Sequence, residues 1–231
     1  MVSLNAFTFP LKKLIFKVTC IVPVYNNQDT IAKVVATLLE IKDITEVIVI
    51  NDGSYDLTQK KLSNFIDHKK CNIISTAKNK GKGWAIAMGI SEAKGNVILM
   101  CDADLKNLRD NHIEQMMNQF KKSKSQMVIS SRSPLDGFKS RFFAKLSGER
   151  IFYKKSLTPK YLKLMKHSGY GVEKIINHAH RDKQIDFVVA GDIGHQLKFH
   201  RSNWPKCTKE YLEEAVNVIG MDLRLKLLRD D

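Results

Sequence analysis

The sequence lacks any run of about 18 apolar residues, the length a helix needs to cross a bilayer. It is poor in cysteine: Cys20, Cys71, Cys101 and Cys207 lie far apart, with no CxxC pair and no secretory leader ahead of them. Lys12, Lys13 and Lys17 interrupt the stretch where such a leader would form, so a reducing, cytoplasmic setting is expected. Internal repeats, low-complexity tracts and an obvious linker are absent as well. Acidic residues are scarce beside basic ones, 24 Asp+Glu against 38 Lys+Arg, which gives a formal net charge of +14. That excess points to an anionic partner without naming it, since nucleic acid, a membrane surface and a phosphorylated substrate would all serve. With 231 residues, 43% hydrophobic and 27% charged, the chain has ordinary globular composition, which excludes a disordered protein. One domain over residues 1–231 is expected.

The first half alternates apolar strands with helical spacing. Val18–Tyr25, Glu46–Asp52, Cys71–Ala77 and Asn96–Asp104 are nearly continuous apolar runs. Between them Ile31, Val34, Val35, Leu38 and Leu39, and then Trp84–Lys94, follow a helical period. Strands buried on both faces and separated by helices predict a mostly parallel, Rossmann-like α/β sheet flanked by helices. Its ligand crevice should lie beyond the carboxyl ends of the strands. Gln126–Arg132 reads as a fifth strand and Phe138–Lys166 as a basic, amphipathic segment, within which Phe138–Tyr153 mixes aromatics with Lys and Arg as interfacial helices do. Gly171–Arg181 reads as a helix, Ile185–Leu197 as a strand broken at Gly191–Gly194, and Lys206–Leu228 as a C-terminal amphipathic helix suited to covering the sheet or to dimerising.

Three segments carry chemistry. Asp102-Ala103-Asp104 follows a buried strand, and residues i and i+2 of an extended chain share a face, so both carboxylates would reach one crevice and one divalent cation. A strand-end turn with Asp capping the next segment is the competing reading. Asp52 ends the second strand before Gly53-Ser54-Tyr55-Asp56, where an acceptor suits a nucleobase imide or a ribose hydroxyl. Ser54 or Asp56 would cap the helix that follows. Lys78-Asn79-Lys80-Gly81-Lys82-Gly83 opens a helix with a composition that approaches phosphates, although it is no Walker loop.

In order and spacing, Cys20–Thr30, Val47–Thr58, Asn79–Ile90 and Ala93–Leu105 resemble the successive nucleotide-sugar motifs of family-2 glycosyltransferases. The resemblance implies a GT-A fold, with residues 1–110 as the nucleotide-sugar half and 111–231 as the acceptor half. It places Pro23, Tyr25, Asn27 and Asp52 around the nucleoside, with Lys80 nearby. Asn27 stands where an acidic residue is usual. Asp102 and Asp104 become a DxD element that holds Mg2+ or Mn2+ against the diphosphate of a UDP- or GDP-sugar. Leu146–Arg150 and Gly169–Glu173 resemble acceptor-side motifs of glucosyl-3-phosphoglycerate synthases and related small transferases. In those enzymes a later histidine completes the metal site, a place that His195 would take here. His178 and His180, two residues apart on a helix, point in different directions and read as surface or packing residues.

The expectation is therefore a metal-dependent glycosyltransferase acting on an anionic acceptor. Glu149 or Glu173 would be the general base for a hydroxyl acceptor, and Arg150 a fork for a phosphate acceptor. Glu149 and Arg150 could equally pair with neighbours, and Glu173 suits the first turn of a helix. A basic nucleic-acid-binding domain is the rival from another class, but no helix-turn-helix, RNA-recognition or zinc-finger signature is present. A nucleotidyltransferase would need a Gly-rich, Arg-containing turn after the first strand, which is missing. Residues 121–183 hold 16 basic and four acidic side chains, a net of +12. The excess thus falls on the segment assigned to the acceptor, a phosphorylated small molecule or a lipid phosphate at the inner face of a membrane.

Overall fold

The computed structural model describes residues 16–131 and 144–195, together with residues 221 and 225. The strands are β1 (Val18–Val24), β2 (Ile44–Asn51), β3 (Cys71–Ser75), β4 (Val97–Met100), β5 (Leu105–Lys106), β6 (Met127–Ser131), β7 (Arg150–Tyr153), β8 (Ile185–Val189) and β9 (Gly194–His195). The helices are α1 (Ile31–Glu40), α2 (Thr58–Leu62), α3 (Lys82–Glu92), α4 (Asp110–Lys122), α5 (Pro159–Met165) and α6 (Val172–Ala179). Seven strands form one sheet in the order β3-β2-β1-β4-β7-β6-β8, and β5 pairs with β9 in a small second sheet. All pairings in the large sheet are parallel except those of β7, which runs against both β4 and β6.

Strand alternation divides the core into two layers. Cys20, Val22 and Val24 of β1 face α1 and α4, where Val35, Leu38, Ile113, Met117 and Phe120 cover them. Ile21, Ile48 and Ile98 face the other way, against Ile86 and Ile90 of α3, Met165 of α5 and Ile175 and Ile176 of α6. Each such side chain, fully withdrawn from water, contributes about 1.5–3 kcal/mol. Met221 and Leu225, one helical turn apart, are buried in this second layer. The rest of the expected Lys206–Leu228 helix lies outside the described residues.

Two expectations change. The segment read as an interfacial helix contains β7, whose Ile151 and Phe152 are buried in the sheet. Its four residues are too short for a period to show, and Arg150 at their head is charged. Phe138–Phe143 lie outside the described residues. The fourth strand ends at Met100, and residues 103–104 form a turn, so Asp102 and Asp104 do not share a face by strand geometry. Cys20, Cys71 and Cys101 are free thiols, and Cys20 and Cys101 are buried as small hydrophobes; Cys207 lies outside the described residues. Among the described residues no helix is long and apolar enough to cross a membrane.

His180 closes α6 as a packing residue. Its ring is fully buried edge-on to Phe152, with Nδ1 2.8 Å from the Ile176 carbonyl and Nε2 without a partner. His178 meets the Tyr161 hydroxyl at 3.1 Å near the surface. Burial pulls the pKa of His180 down to about 4, against about 6.5 in an unfolded chain. The unfolded state then takes up this proton first. Stability from the neutral ring is complete above pH 6.5 and drains away as pH falls towards 4. Melting the protein from pH 7.5 to 4.5 should therefore show a steeper loss for wild type than for His180→Gln; parallel curves would contradict the assignment.

Candidate functional site

Strand order reverses between β1 and β4, so the loops leaving their carboxyl ends diverge and open a crevice. The loops after β1 and β2 are laced together across its rim. Asn26, at φ 51, donates its amide to Ser54 Oγ (2.9 Å) and accepts from the Tyr55 amide through Oδ1 (3.0 Å). The Asn27 amide donates to Thr58 Oγ1 at 2.9 Å, and the Gln28 amide to Asp56 Oδ2 at 3.2 Å. Asp56 Oδ1 also accepts the Thr58 amide, the capping turn expected there. Pro23 is paired within β1, while Tyr25 and Tyr55 meet edge to face at 6.0 Å with Tyr55 well exposed. The Asn27 side chain is buried, with Nδ2 donating to the Tyr25 carbonyl and Oδ1 unpartnered.

Asp52 is turned inward rather than offered at the rim. Its carboxylate takes the Lys80 amide at 2.9 and 3.0 Å, the Gly81 amide at 2.7 Å and Thr76 Oγ1 at 3.3 Å. It thereby clamps the lysine loop to the end of β2. Gly53 allows the approach: at φ +71, its Cβ would stand 2.5 Å from the Lys78 carbonyl carbon. Lys80 lies over the Trp84 ring, 4.2 Å from its centroid.

The centre of the site is a charge cluster. Lys82, first residue of α3, places Nζ 2.9 Å from Asp102 Oδ1 and 2.9 Å from Glu173 Oε1. Burial would draw the ammonium's pKa down, but the two carboxylates outweigh it and hold the pKa above its ordinary value. Gly148 packs against Asp102, where a Cβ would come within 2.2 Å of Oδ2. Thr30 Oγ1 donates to the Ala103 carbonyl at 2.7 Å and fixes the turn that carries Asp104. The β5–β9 pairing sets the backbone of His195 opposite Leu105, the residue after Asp104. Asp192 secures that loop through contacts with Arg109 and, at 2.8 Å, with His112 Nε2. Among the described residues no three His, Cys, Asp or Glu side chains are gathered closely enough to hold a metal by themselves.

Arg150 departs from expectation. Its fully buried guanidinium donates to the Asn177 side chain (3.0 Å) and to the carbonyls of Glu173 (3.4 Å), Lys145 (3.2 Å) and Ser147. It staples the loop before β7 to α6 and has no free edge to fork onto a phosphate. Glu149, also buried, accepts from Ser147 Oγ at 2.8 Å. The basic segment is divided as well. Since β7 runs antiparallel, Lys154, Lys155 and Lys160 follow its end beside Val97, at the edge opposite the crevice. Lys121, Lys122, Lys124, Arg181 and Lys183 precede β6 and β8 at that same edge. Half of the 16 basic residues between 121 and 183 therefore face away from the site.

Sequence reasoning named Lys82 only as one lysine of a loop and overlooked Gly148. The Gly81-Lys82-Gly83 spacing at a helix start was the available signal for Lys82. For Gly148 there was none, because its role is to leave room for a side chain 46 positions earlier.

A family model described as Glycosyl transferase family 2 matches residues 19–202. A dolichyl-phosphate beta-glucosyltransferase of Trichomonas vaginalis is 32% identical over 133 residues, 52% of this chain and 39% of that protein. The human dolichyl-phosphate beta-glucosyltransferase is 40% identical over 93 residues, 38% of this chain and 29% of that protein. The chain thus spans roughly a third of the length of these curated relatives. Among solved structures, glucosyl-3-phosphoglycerate synthase from Mycobacterium tuberculosis, in complex with Mn2+, UDP and phosphoglyceric acid, superposes with a TM-score of 0.69 at 20% identity. That superposition covers 91% of this chain and 78% of the other, and it establishes a shared GT-A-like fold.

The staple gives a direct expectation. Arg150→Met leaves the Lys145, Ser147 and Glu173 carbonyls and the Asn177 side chain without their buried donor and removes the positive charge nearest the buried Glu149, so it should cost about 3–5 kcal/mol in a urea titration. A loss below about 1 kcal/mol would show that the guanidinium is not structural.

Proposed function

The chain belongs to glycosyl transferase family 2, and from that premise we propose that it transfers a sugar from a nucleotide-sugar donor to an acceptor that carries a phosphate, with Mg2+ or Mn2+ at the donor diphosphate. The observation that carries this reading is the meeting of Asp102, Lys82 and Glu173 within 2.9 Å at the switch point of the sheet. These residues come from the two halves of the chain, which share one continuous sheet through the β4–β7 pairing; that continuity supports reading the chain as one domain.

The donor set fits a hard divalent cation. Asp102 and Asp104 offer carboxylate oxygens, the β5–β9 pairing sets the backbone of His195 opposite Leu105, and the glycine at 148 leaves the room that the Asp102 carboxylate occupies. A cation held there would neutralise charge on the departing diphosphate. Around it the protein's own groups divide the work. Tyr25, Asn27 and the laced loops bind the nucleoside; Asp52 acts on it through the Lys80–Gly81 backbone that it clamps. Lys80 and Lys82 flank the phosphates. Glu173 is the base for an acceptor hydroxyl, whereas a phosphate acceptor arrives ionised and needs only to be positioned. The relatives favour a phosphorylated acceptor: they are named for dolichyl phosphate, and the structural neighbour holds phosphoglyceric acid.

A thermal-shift screen of UDP- and GDP-sugars with Mg2+ or Mn2+ tests the reading. Saturating donor with metal should raise Tm by about 5–11 °C, as binding at about 100 times Kd does for a chain of this size. The shift should vanish without metal and in Asp104→Ala. If no sugar nucleotide gives a metal-dependent shift, the proposed donor chemistry is wrong.

A further inference from the structure

Lys82 occupies an unusual place for a phosphate-binding lysine. Its ammonium already bridges Asp102 and Glu173 at equal distances of 2.9 Å, and its side chain is only 19% exposed. It stands where a second cation approaching Asp102 would have to come. An ammonium and a divalent ion cannot both lie against one carboxylate without strong repulsion at such short range. We propose, building on the metal reading above, that Lys82 is an internal counter-ion that competes with the divalent cation for Asp102, and that its displacement by metal and nucleotide is what releases Glu173 towards the acceptor.

Three features of the site support the exchange. Lys82 lies between Gly83, which packs against Ser168 and the Met165 carbonyl and so anchors the start of α3, and Gly81, whose side is open. Gly81 is at φ +97, and a Cβ there would meet nothing nearer than the Gly169 Cα at 3.8 Å. Gly148 lies directly against the Asp102 carboxylate and leaves it little room, so the flexible lysine is the partner that moves. Glu173 sits in the first turn of α6, with no basic residue of its own helix in that turn apart from Lys174, which follows it. Until Lys82 moves, one ammonium neutralises the acid of the donor half and the acid of the acceptor half together. The consequence is an order of events in which donor and metal bind before Glu173 can engage an acceptor. Lys82 is thus a positioning residue for Glu173 as well as a ligand group.

Mn2+ binding to the full chain, followed by the loss of the free-ion electron paramagnetic resonance signal, tests this without relying on turnover. In the absence of nucleotide, Lys82→Gln should bind Mn2+ about tenfold more tightly than wild type, the effect of removing one close cation from a half-buried carboxylate. Lys82→Met should behave alike, and Lys78→Gln, an exposed lysine of the same loop, should match wild type within about twofold. Adding UDP should strengthen Mn2+ binding in wild type by a larger factor than in Lys82→Gln, because only wild type has an ammonium to hand over to the phosphates. Circular dichroism confirms that the variants are folded. Equal or weaker Mn2+ affinity in both folded Lys82 variants, with wild type still binding Mn2+ when UDP is present, overturns the exchange and leaves the metal reading intact. Failure of wild type to take up Mn2+ even with UDP overturns the metal reading and the exchange with it.

Discussion

Charge balance at one end of the sheet is the constraint to which the other features answer. Asp102, Glu149 and Glu173 are drawn together where β4 ends, β7 begins and α6 starts, with Lys82 and Arg150 as the cations set among them. Carboxylates buried this deeply and set this close are tolerated only when paired, because desolvation penalises each one separately. The two cations divide the task. Arg150 is locked behind the site by four hydrogen bonds and never faces the crevice, whereas Lys82 faces it with two ion pairs. One cation secures the fold and the other is available to chemistry.

The antiparallel strand β7 makes that division possible. A parallel strand beside β4 would have delivered its carboxyl end to the crevice and its amino end to the far edge. By running the other way, β7 brings Ser147–Arg150 to the crevice from outside the Rossmann-like half, and so presents Gly148 to Asp102 and Arg150 to α6. The same reversal carries the following lysines to the far edge of the sheet. The basic excess of the chain is therefore a property of both ends, and the phosphate-binding capacity of the crevice rests on a few placed residues.

Much of the first half was legible because its signals are local. Three buried strands and the partly exposed edge strand β3 announce themselves as apolar runs, and polar, turn-forming residues at strand ends mark the crevice. The second half was less legible for physical reasons. β7 has four residues headed by a charge, and a charge at a strand end looks like surface until its partners on α6 are known. Arg150 read as a phosphate fork because a guanidinium has the same geometry for carbonyls as for phosphate oxygens. Asp52 was placed correctly at the end of β2, but its orientation depended on two backbone amides nearly 30 positions later. Proximity of Asp102 and Asp104 was inferred from strand alternation; the turn at Ala103, held by Thr30, replaces that geometry.

The position of Lys82 on α3 has one more consequence. The amino end of a helix carries about half a positive charge from its aligned peptide dipoles, so a lysine there is opposed by the very helix that holds it. That frustration is relieved by Asp102 and Glu173. A diphosphate arriving at the same helix end would relieve it better, because it satisfies the lysine and the dipoles together. One end of one helix thereby couples the lysine, its two carboxylates and the diphosphate in a single charge balance.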